Sequence, residues 1–99
     1  MIASFKHRGL RMLFENDDRR RLSAAQVDKI KRVLARLDEA TDIKHIALPG
    51  FGLHPLKGDL KGFWAVSVSG NWRINFRFEK GNAYDIDLVD YLSEKKLCP

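Results

Sequence analysis

Apolar residues recur along this chain at two different spacings, and the spacing changes near the middle. Up to about residue 40 they recur every three to four positions, as one face of an amphipathic helix requires. From Phe63 onward they alternate with polar residues, which is typical of strands that bury one face. The clearest alternation is residues 72–78, where Trp, Ile and Phe alternate with Arg and Asn. The pattern predicts helices first and a sheet afterwards.

The first half predicts a short strand followed by two helices. Residues 2–5 form a short apolar run, which we expect at an edge of the sheet. Leu10, Leu13 and Phe14 mark the buried face of the first helix, and the turn-forming residues 16–18 end it.

The second helix is predicted to begin at Ser23 and to fade by Ala40. Gln26 follows Ser23 by three positions, which predicts a capping box in which each side chain bonds to the backbone of the other. The helix has a core stripe at helical spacing: Val27, Ile30, Leu34 and Leu37.

The second half predicts consecutive antiparallel strands joined by two tight loops. We expect each loop, 69–71 and 79–81, to have three residues, with Gly81 in a left-handed conformation. Pairing the apolar faces predicts these cross-strand partners: Val66 with Ile74, Val68 with Trp72, Phe76 with Tyr84, Ile74 with Ile86, and Arg73 with Asp87.

These elements predict an α+β fold, in which two helices of the N-terminal half pack on one face of a mostly antiparallel sheet of about four strands. A chain of 99 residues has room for one core. We expect residues 1–92 to form that domain and 93–99 to form a tail. The opposite, polar face of the sheet, which carries Arg73, Asn75 and Arg77, is expected to stay partly uncovered.

Charge and composition narrow the class of partner. The formal net charge is +5 and the pI about 9.6, which favours a polyanion such as nucleic acid or the ribosome. No apolar run approaches the ~18 residues of a membrane span, and the N-terminus lacks a signal-peptide core, so we expect a cytoplasmic protein without membrane contact.

The polar residues of the sheet half are compatible with RNA cleavage without a metal. The three histidines lie far apart in sequence, and no metal site or cofactor motif is expected. RNA supplies its own nucleophile, the 2′-hydroxyl, so an enzyme needs groups that move protons and stabilise phosphoryl charge. A histidine, a lysine and an arginine such as His54, Lys57 and Arg73 can share these tasks.

Each candidate also has a structural interpretation. Arg73 could simply pair with Asp87 across the strands, His54 could be structural, and Lys57 could be part of a turn. The same ambiguity applies to the basic residues that could contact RNA or the ribosome, which could instead be solvated surface: Arg19, Arg20, Arg21, Lys29, Arg32, Arg36 and Arg77.

Four segments together resemble a known family, over residues 1–91 and in the family's order. They are residues 5–10 (FKHRGL), 53–59 (LHPLKGD), 71–74 (NWRI) and 89–91 (VDY). In these segments the chain is similar to the HigB group of the RelE toxin superfamily, also called plasmid-maintenance killer proteins.

The resemblance implies a ribosome-dependent endoribonuclease that cleaves mRNA in the decoding site and inhibits translation and growth. It also implies a cognate HigA-type antitoxin with a helix-turn-helix, through which the complex would bind operator DNA. The substrate would be mRNA on the 70S ribosome, and the fold would be RelE-like.

The resemblance also assigns roles to individual residues. His54 matches an acid–base residue, Lys57 and Arg73 match phosphate-binding residues, and Asp90 and Tyr91 match the C-terminal part of the family's site. Family members commonly continue with a histidine that belongs to the active site, whereas this chain has Leu92. An alternative function therefore stays open, in which a weak or inactive homologue binds the antitoxin as a co-repressor or decoy.

Overall fold

The computed structural model describes residues 1–90, and within them two helices precede one four-stranded antiparallel sheet. The strand order β1-β2-β3-β4 follows the chain order, which is a simple meander. The elements are α1 (Arg8–Asn16), α2 (Ala24–Glu39), two short 3₁₀ helices (Ile43–Ile46 and Gly58–Leu60), β1 (His54–Pro55), β2 (Phe63–Ser69), β3 (Trp72–Glu79) and β4 (Asn82–Asp90). The predicted α+β fold class is confirmed.

The N-terminal segment lies along the outer edge of β4. Ile2 and Phe5 form isolated parallel bridges to Ala83 and Ile86, and the Ala3 N–H donates to the Ala83 carbonyl at 2.7 Å. The predicted edge position is confirmed, although the segment pairs through two bridges instead of a continuous strand.

Both helices cover the apolar face of the sheet, and α2 supplies most of the helical contribution to the core. The predicted stripe of α2 is fully buried, together with Val33. Phe14 of α1 was predicted to face the core, but it is 40% exposed. It lies at the margin of the helix layer, where its ring packs against Phe5 with 5.8 Å between centroids.

The predicted capping box at Ser23 is wrong. The Ser23 side chain makes no capping hydrogen bond, and the Gln26 amide donates to the Ser69 hydroxyl at 3.0 Å. Gln26 is only 7% exposed, so its amide needs a partner within the protein. The end of β2 provides one, and the side chain joins the helix to the sheet.

Both hairpin loops are one residue shorter than predicted. A bulge in β2 places Ser69, instead of Val68, opposite Trp72, while Val66 pairs with Ile74 as predicted. Glu79 pairs with Asn82, which leaves Lys80 and Gly81 as a two-residue loop with φ of 51° and 79°. Positive φ at both positions matches the twist of the flanking strands.

The register between β3 and β4 differs from the prediction by two residues where residues 73–75 pair with residues 87–89. The shorter loop shifts it by one residue, and a bulge at Asp85, whose φ is 54°, shifts it by another. Arg73 therefore lies opposite Val89 instead of Asp87, and Ile74 opposite Leu88 instead of Ile86. A total shift of two residues leaves each side chain on the same face of the sheet. The faces predicted for the residues of β4 beyond the bulge are therefore correct.

Between the loop and the bulge, the single shift moves Tyr84 to the other face. It pairs with Arg77 and not with Phe76, and the Arg77 guanidinium lies 4.6 Å from the centre of its ring.

We expect Gly81→Ala to lower the free energy of unfolding by about 1–2 kcal/mol, because a side chain with a Cβ is strained at φ +79°. Urea denaturation measures the change. Gly81→Asn is the matched variant, and it should recover part of the loss because Asn tolerates a left-handed backbone. Equal stability of all three proteins would contradict the turn geometry.

Candidate active site

Two neighbouring rows of paired residues bring His54 and Arg73 to the same face of the sheet. His54 pairs with Ala65, which pairs with Asn75, which pairs with Asp87. The adjacent row contains Ser67, Arg73 and Val89. Directly paired residues project to one face, so both rows belong to the face without helices, here called the open face. Strand spacing and rise place the Cα atoms of His54 and Arg73 roughly 12 Å apart.

One nitrogen of the His54 ring is oriented by the backbone. Its Nδ1 lies 3.0 Å from the Gly52 carbonyl oxygen, and a carbonyl can only accept, so this contact requires a proton on Nδ1. In the neutral ring, Nε2 then carries the lone pair. Gly52 has φ +59°, and a Cβ there would lie 3.0 Å from the Ser67 hydroxyl, so the local backbone favours glycine.

Arg73 is anchored at the start of β3. Its Nη1 donates to the carbonyls of Gly70 at 2.7 Å and Trp72 at 3.0 Å. Both acceptors are backbone carbonyls, and these bonds orient the guanidinium. The cross-strand pair with Asp87 that the sequence left open does not match the register, because Asp87 lies opposite Asn75. The Asp87 carboxylate lies 4.0 Å from the Lys6 ammonium.

Lys57 lies just after the edge strand β1, in the segment that connects it to β2. Lys57 is exposed and precedes the 3₁₀ helix Gly58–Leu60, where Gly58 has φ +67°. The predicted turn is therefore present. Lys57 follows His54 by three positions along the chain.

The C-terminal candidates lie at the limit of the described chain. Asp90 is the last residue of β4 and pairs with Trp72, so the register places it on the helix-covered face, opposite to Arg73. Tyr91 lies outside the described residues, as does Leu92.

Arg19 and Arg20 of the α1–α2 connection are paired with neighbouring carboxylates. Arg20 makes two bonds to the Asp18 carboxylate at 3.0 and 2.9 Å, and Arg19 lies 3.6 Å from Asp17. The hydrogen bonds from Arg20 hold the pKa of the Asp18 carboxyl well below its usual range. Lys31 of α2 contacts Asp17 at 3.1 Å, and its hydrogen bond is the main cause of a lowered pKa at Asp17.

The remaining tentative RNA contacts do not form one patch. Arg77 lies on the open face, and its pKa is raised, mainly by a 2.7 Å bond to Glu79. Lys29 donates to the Gly50 carbonyl at 2.9 Å and lies over the Phe51 ring. Arg21, Arg32 and Arg36 are exposed, the first in the α1–α2 connection and the others on α2.

Sequence reasoning missed two concavities that border the candidate site. One, of about 340 Å³, lies on the open face and is lined by Lys6, Leu60, Phe63, Asn75, Asp85, Asp87 and Val89. The other, of about 360 Å³, is lined by Pro55, Leu56, Lys57, Gly58, Lys61, Gly62, Phe63 and Trp64. The strand pattern placed Asn75 on the open face, and the predicted pairing with Arg73 placed Asp87 there too, but nothing local in the sequence shows that residues 56–62 fold into a wall.

Two negative findings apply to residues 1–90. No three His, Cys, Asp or Glu side chains there converge as metal ligands would. Neither helix combines the length and the apolar character that crossing a bilayer requires.

The fold is shared with a solved structure. The chain superimposes on the crystal structure of a YafQ mutant from E. coli with a TM-score of 0.61, covering 95% of this chain and 96% of that chain. The two sequences are 16% identical, so this likeness concerns the fold alone.

The sequence comparisons define the family. The family described as "RelE-like toxin of type II toxin-antitoxin system HigB" matches residues 3–92. The chain is 45% identical over 91 residues to Endoribonuclease HigB of Proteus vulgaris, covering 92% of this chain and 99% of the relative. It is 31% identical over 85 residues to Toxin HigB-1 of Vibrio cholerae serotype O1, covering 84% and 90%. The protein belongs to the HigB family of RelE-like toxins, and such a toxin has an antitoxin as its partner.

The Asp18–Arg20 pair makes stability depend on pH in a defined direction. A carboxylate with a lowered folded pKa stabilises the protein above its unfolded pKa, and this contribution is lost as pH falls. We expect Asp18→Asn to be less stable than the wild type at pH 7, and the difference to shrink as the pH drops below the ordinary value of 3.8. Thermal unfolding at several pH values measures it.

Arg20→Gln tests the same pair from the other side. It should give the same pH-dependent loss, and the double variant should add little, because both substitutions remove one interaction. A difference that stays constant from pH 7 to pH 2 would contradict the pairing.

Proposed function

We propose that this toxin is an endoribonuclease that cleaves mRNA in the decoding site of the ribosome without a metal ion, and so inhibits translation. The observation that carries the proposal is that His54 and Arg73 lie on the same open face of the sheet. In addition, the Nδ1 of His54 is hydrogen-bonded to a backbone carbonyl. The name of the 45% identical relative, Endoribonuclease HigB, supports the reaction class.

The proposed reaction is an internal transfer. The 2′-oxygen attacks the adjacent phosphorus, the bond to the 5′-oxygen breaks, and the products carry a 2′,3′-cyclic phosphate and a 5′-hydroxyl. His54 Nε2 takes the proton from the 2′-hydroxyl, since this nitrogen carries the lone pair of the neutral ring. Arg73 and Lys57 stabilise the charge on the phosphoryl oxygens, where fixed donors have their largest effect.

The leaving 5′-oxygen needs a proton from a second group, because His54 cannot accept one proton and donate another in the same step. We assign this step to Tyr91, because Asp90 pairs with Trp72 on the helix-covered face, opposite to Arg73. A tyrosine has an ordinary pKa of about 10, so its hydroxyl is protonated at neutral pH and acts as an acid. Leu92 has no group that could donate this proton, so the proposed C-terminal contribution rests on Tyr91.

The proposed partners follow the family. The antitoxin is a HigA-type protein with a helix-turn-helix, the complex of the two binds operator DNA, and the toxin acts in the cytoplasm on the 70S ribosome. The basic residues of the α1–α2 connection and of the outer face of α2 are proposed contacts to ribosomal RNA, by attraction to phosphates.

We expect His54→Ala and Arg73→Ala each to slow mRNA cleavage on programmed ribosomes by about 100- to 1000-fold, because each removes a contact that strengthens in the transition state. His45→Ala is the matched histidine control and should cleave at the wild-type rate.

Two results would contradict the assignment in different ways. Full activity of both site variants would show that the site lies elsewhere. A wild-type protein that binds its antitoxin but cleaves no mRNA would instead identify the co-repressor or decoy, and Leu92→His would then test whether the missing histidine is the cause.

Two substitutions in the α1–α2 connection test the proposed ribosome contact, and they should change ribosome binding in opposite directions. Arg21→Glu should weaken ribosome binding and reduce its salt dependence, because an exposed cation near phosphate becomes an anion. Asp18→Asn should strengthen binding by roughly twofold, because it frees the Arg20 guanidinium from its carboxylate. Co-sedimentation with ribosomes at two salt concentrations measures both, and a change of the same sign in both variants would exclude a role for this loop.

A further inference from the structure

Two concavities meet at the Phe63 ring, and they differ in charge. The concavity of residues 55–64 contains the two lysines Lys57 and Lys61, and its lining within the described chain includes no carboxylate. The concavity on the open face contains Lys6 together with Asp85 and Asp87. Phe63 lines both, and it lies on the open face two positions along β2 from Ala65, the partner of His54.

The difference in charge between the two concavities favours binding of a polyanion in one of them. On the β4 side, Lys6 lies 4.0 Å from Asp87, and Arg77 contacts both Glu79 at 2.7 Å and Asp85 at 3.5 Å. The cations there are already balanced by carboxylates. On the β1 side, Lys57 and Lys61 are both exposed and belong to one short connecting segment. That segment also contains one exposed carboxylate, Asp59, which does not line the concavity. Phosphates therefore gain more from the β1 side.

The walls of the concavity of residues 55–64 add a second feature, which is flat apolar surface. Phe63 and Trp64 are half-buried, and Pro55 is exposed beside them. Aromatic rings next to cations are the combination that binds single-stranded nucleic acid, because bases stack on the rings while cations follow the backbone. A volume of about 360 Å³ is within the range of small-ligand sites.

We propose that the concavity of residues 55–64 is a nucleotide subsite beside the cleaved phosphate, in which a base packs against the Phe63 and Trp64 walls and Lys61 holds a neighbouring phosphate. The subsite rests on the proposed function for the identity of the RNA, and it gives the RNA a path along the β1 edge of the sheet, away from Asp85 and Asp87. Lys61 is a positioning residue, because it contacts a phosphate that does not react.

A contact outside the reacting bond binds substrate and transition state about equally. Its loss raises KM and leaves kcat nearly unchanged, in contrast to the loss of His54 or Arg73. We therefore expect Lys61→Glu to raise KM for cleavage on ribosomes about tenfold with little change in kcat. Lys44→Glu, which makes the same charge change at an exposed residue lining neither concavity, should leave both constants unchanged.

Direct binding is tested with an RNA that cannot be cut. The probe is a six-nucleotide RNA with 2′-O-methyl groups, titrated into the protein while the indole N–H resonances of Trp64 and Trp72 are followed by NMR. We expect the Trp64 resonance to shift, the apparent affinity to fall about tenfold in Lys61→Glu, and the salt slope to fall by roughly 0.7, as for one phosphate contact on a single strand.

The outcomes separate the subsite from the proposed function. A shift at Trp64 that depends on Lys61 supports the subsite, even if the wild type proves unable to cleave. Cleavage by the wild type with no Trp64 shift and a normal KM in Lys61→Glu overturns the subsite and leaves the proposed function intact. A hexaglutamate peptide that shifts Trp64 as strongly as the RNA also overturns it, since the site would then be a general anion patch.

Discussion

The site depends on a strand of only two residues. β1 pairs with β2 through His54 and Pro55 alone, and two backbone hydrogen bonds flank this pairing. On one side the Ser67 N–H donates to the Phe51 carbonyl at 2.6 Å, and on the other the Leu56 N–H donates to the Phe63 carbonyl at 2.9 Å. The side chains of Phe51 and Leu56 are buried, so the core holds both ends of the segment. Pro55 is acceptable because β1 is an edge strand, where a missing N–H costs no ladder bond.

This anchoring explains how an exposed histidine can have a defined position. His54 has little packing of its own, and its face is set by the pairing with Ala65. The pairing of Arg73 with Ser67 likewise sets the face on which Arg73 lies. Its guanidinium is held by the carbonyls of Gly70 and Trp72 at the β2–β3 turn. The helices contribute by covering the other face, which leaves this one open. The layer arrangement thus determines which face can bind a ligand, and the register determines which residues meet there.

The sequence predicted the layers and faces better than the partners. Alternation in β3 depends on local chemistry and was sufficient to place Arg73 on the open face. The register of β4 was not predictable in this way, because it depends on a loop one residue shorter and on a bulge at Asp85. The capping box failed for a similar reason: Gln26 bonds to Ser69, which is distant in sequence. The concavity containing Lys61 also depends on tertiary folding, so spacing could not reveal it.

Counting charges likewise predicted a polyanionic partner without showing which cations could serve it. Arg20 and Arg77 are held by carboxylates, and Lys29 by a carbonyl and a ring. Only the structure distinguishes these residues from Lys57 and Lys61, which line a concavity whose described lining includes no carboxylate. The net charge of +5 is therefore less informative than the way the charges are paired.

The most direct test of the proposed internal transfer is to replace one 2′-hydroxyl. An mRNA is bound to programmed ribosomes with a single 2′-deoxynucleotide on the 5′ side of the bond that the protein cuts. If the 2′-oxygen is the nucleophile, cleavage at that bond stops, and the all-ribose mRNA yields a 5′-hydroxyl on the downstream fragment. Equal cleavage of both mRNAs, with a 5′-phosphate on the downstream fragment, would show that water attacks instead and would contradict the roles given to His54, Lys57 and Arg73.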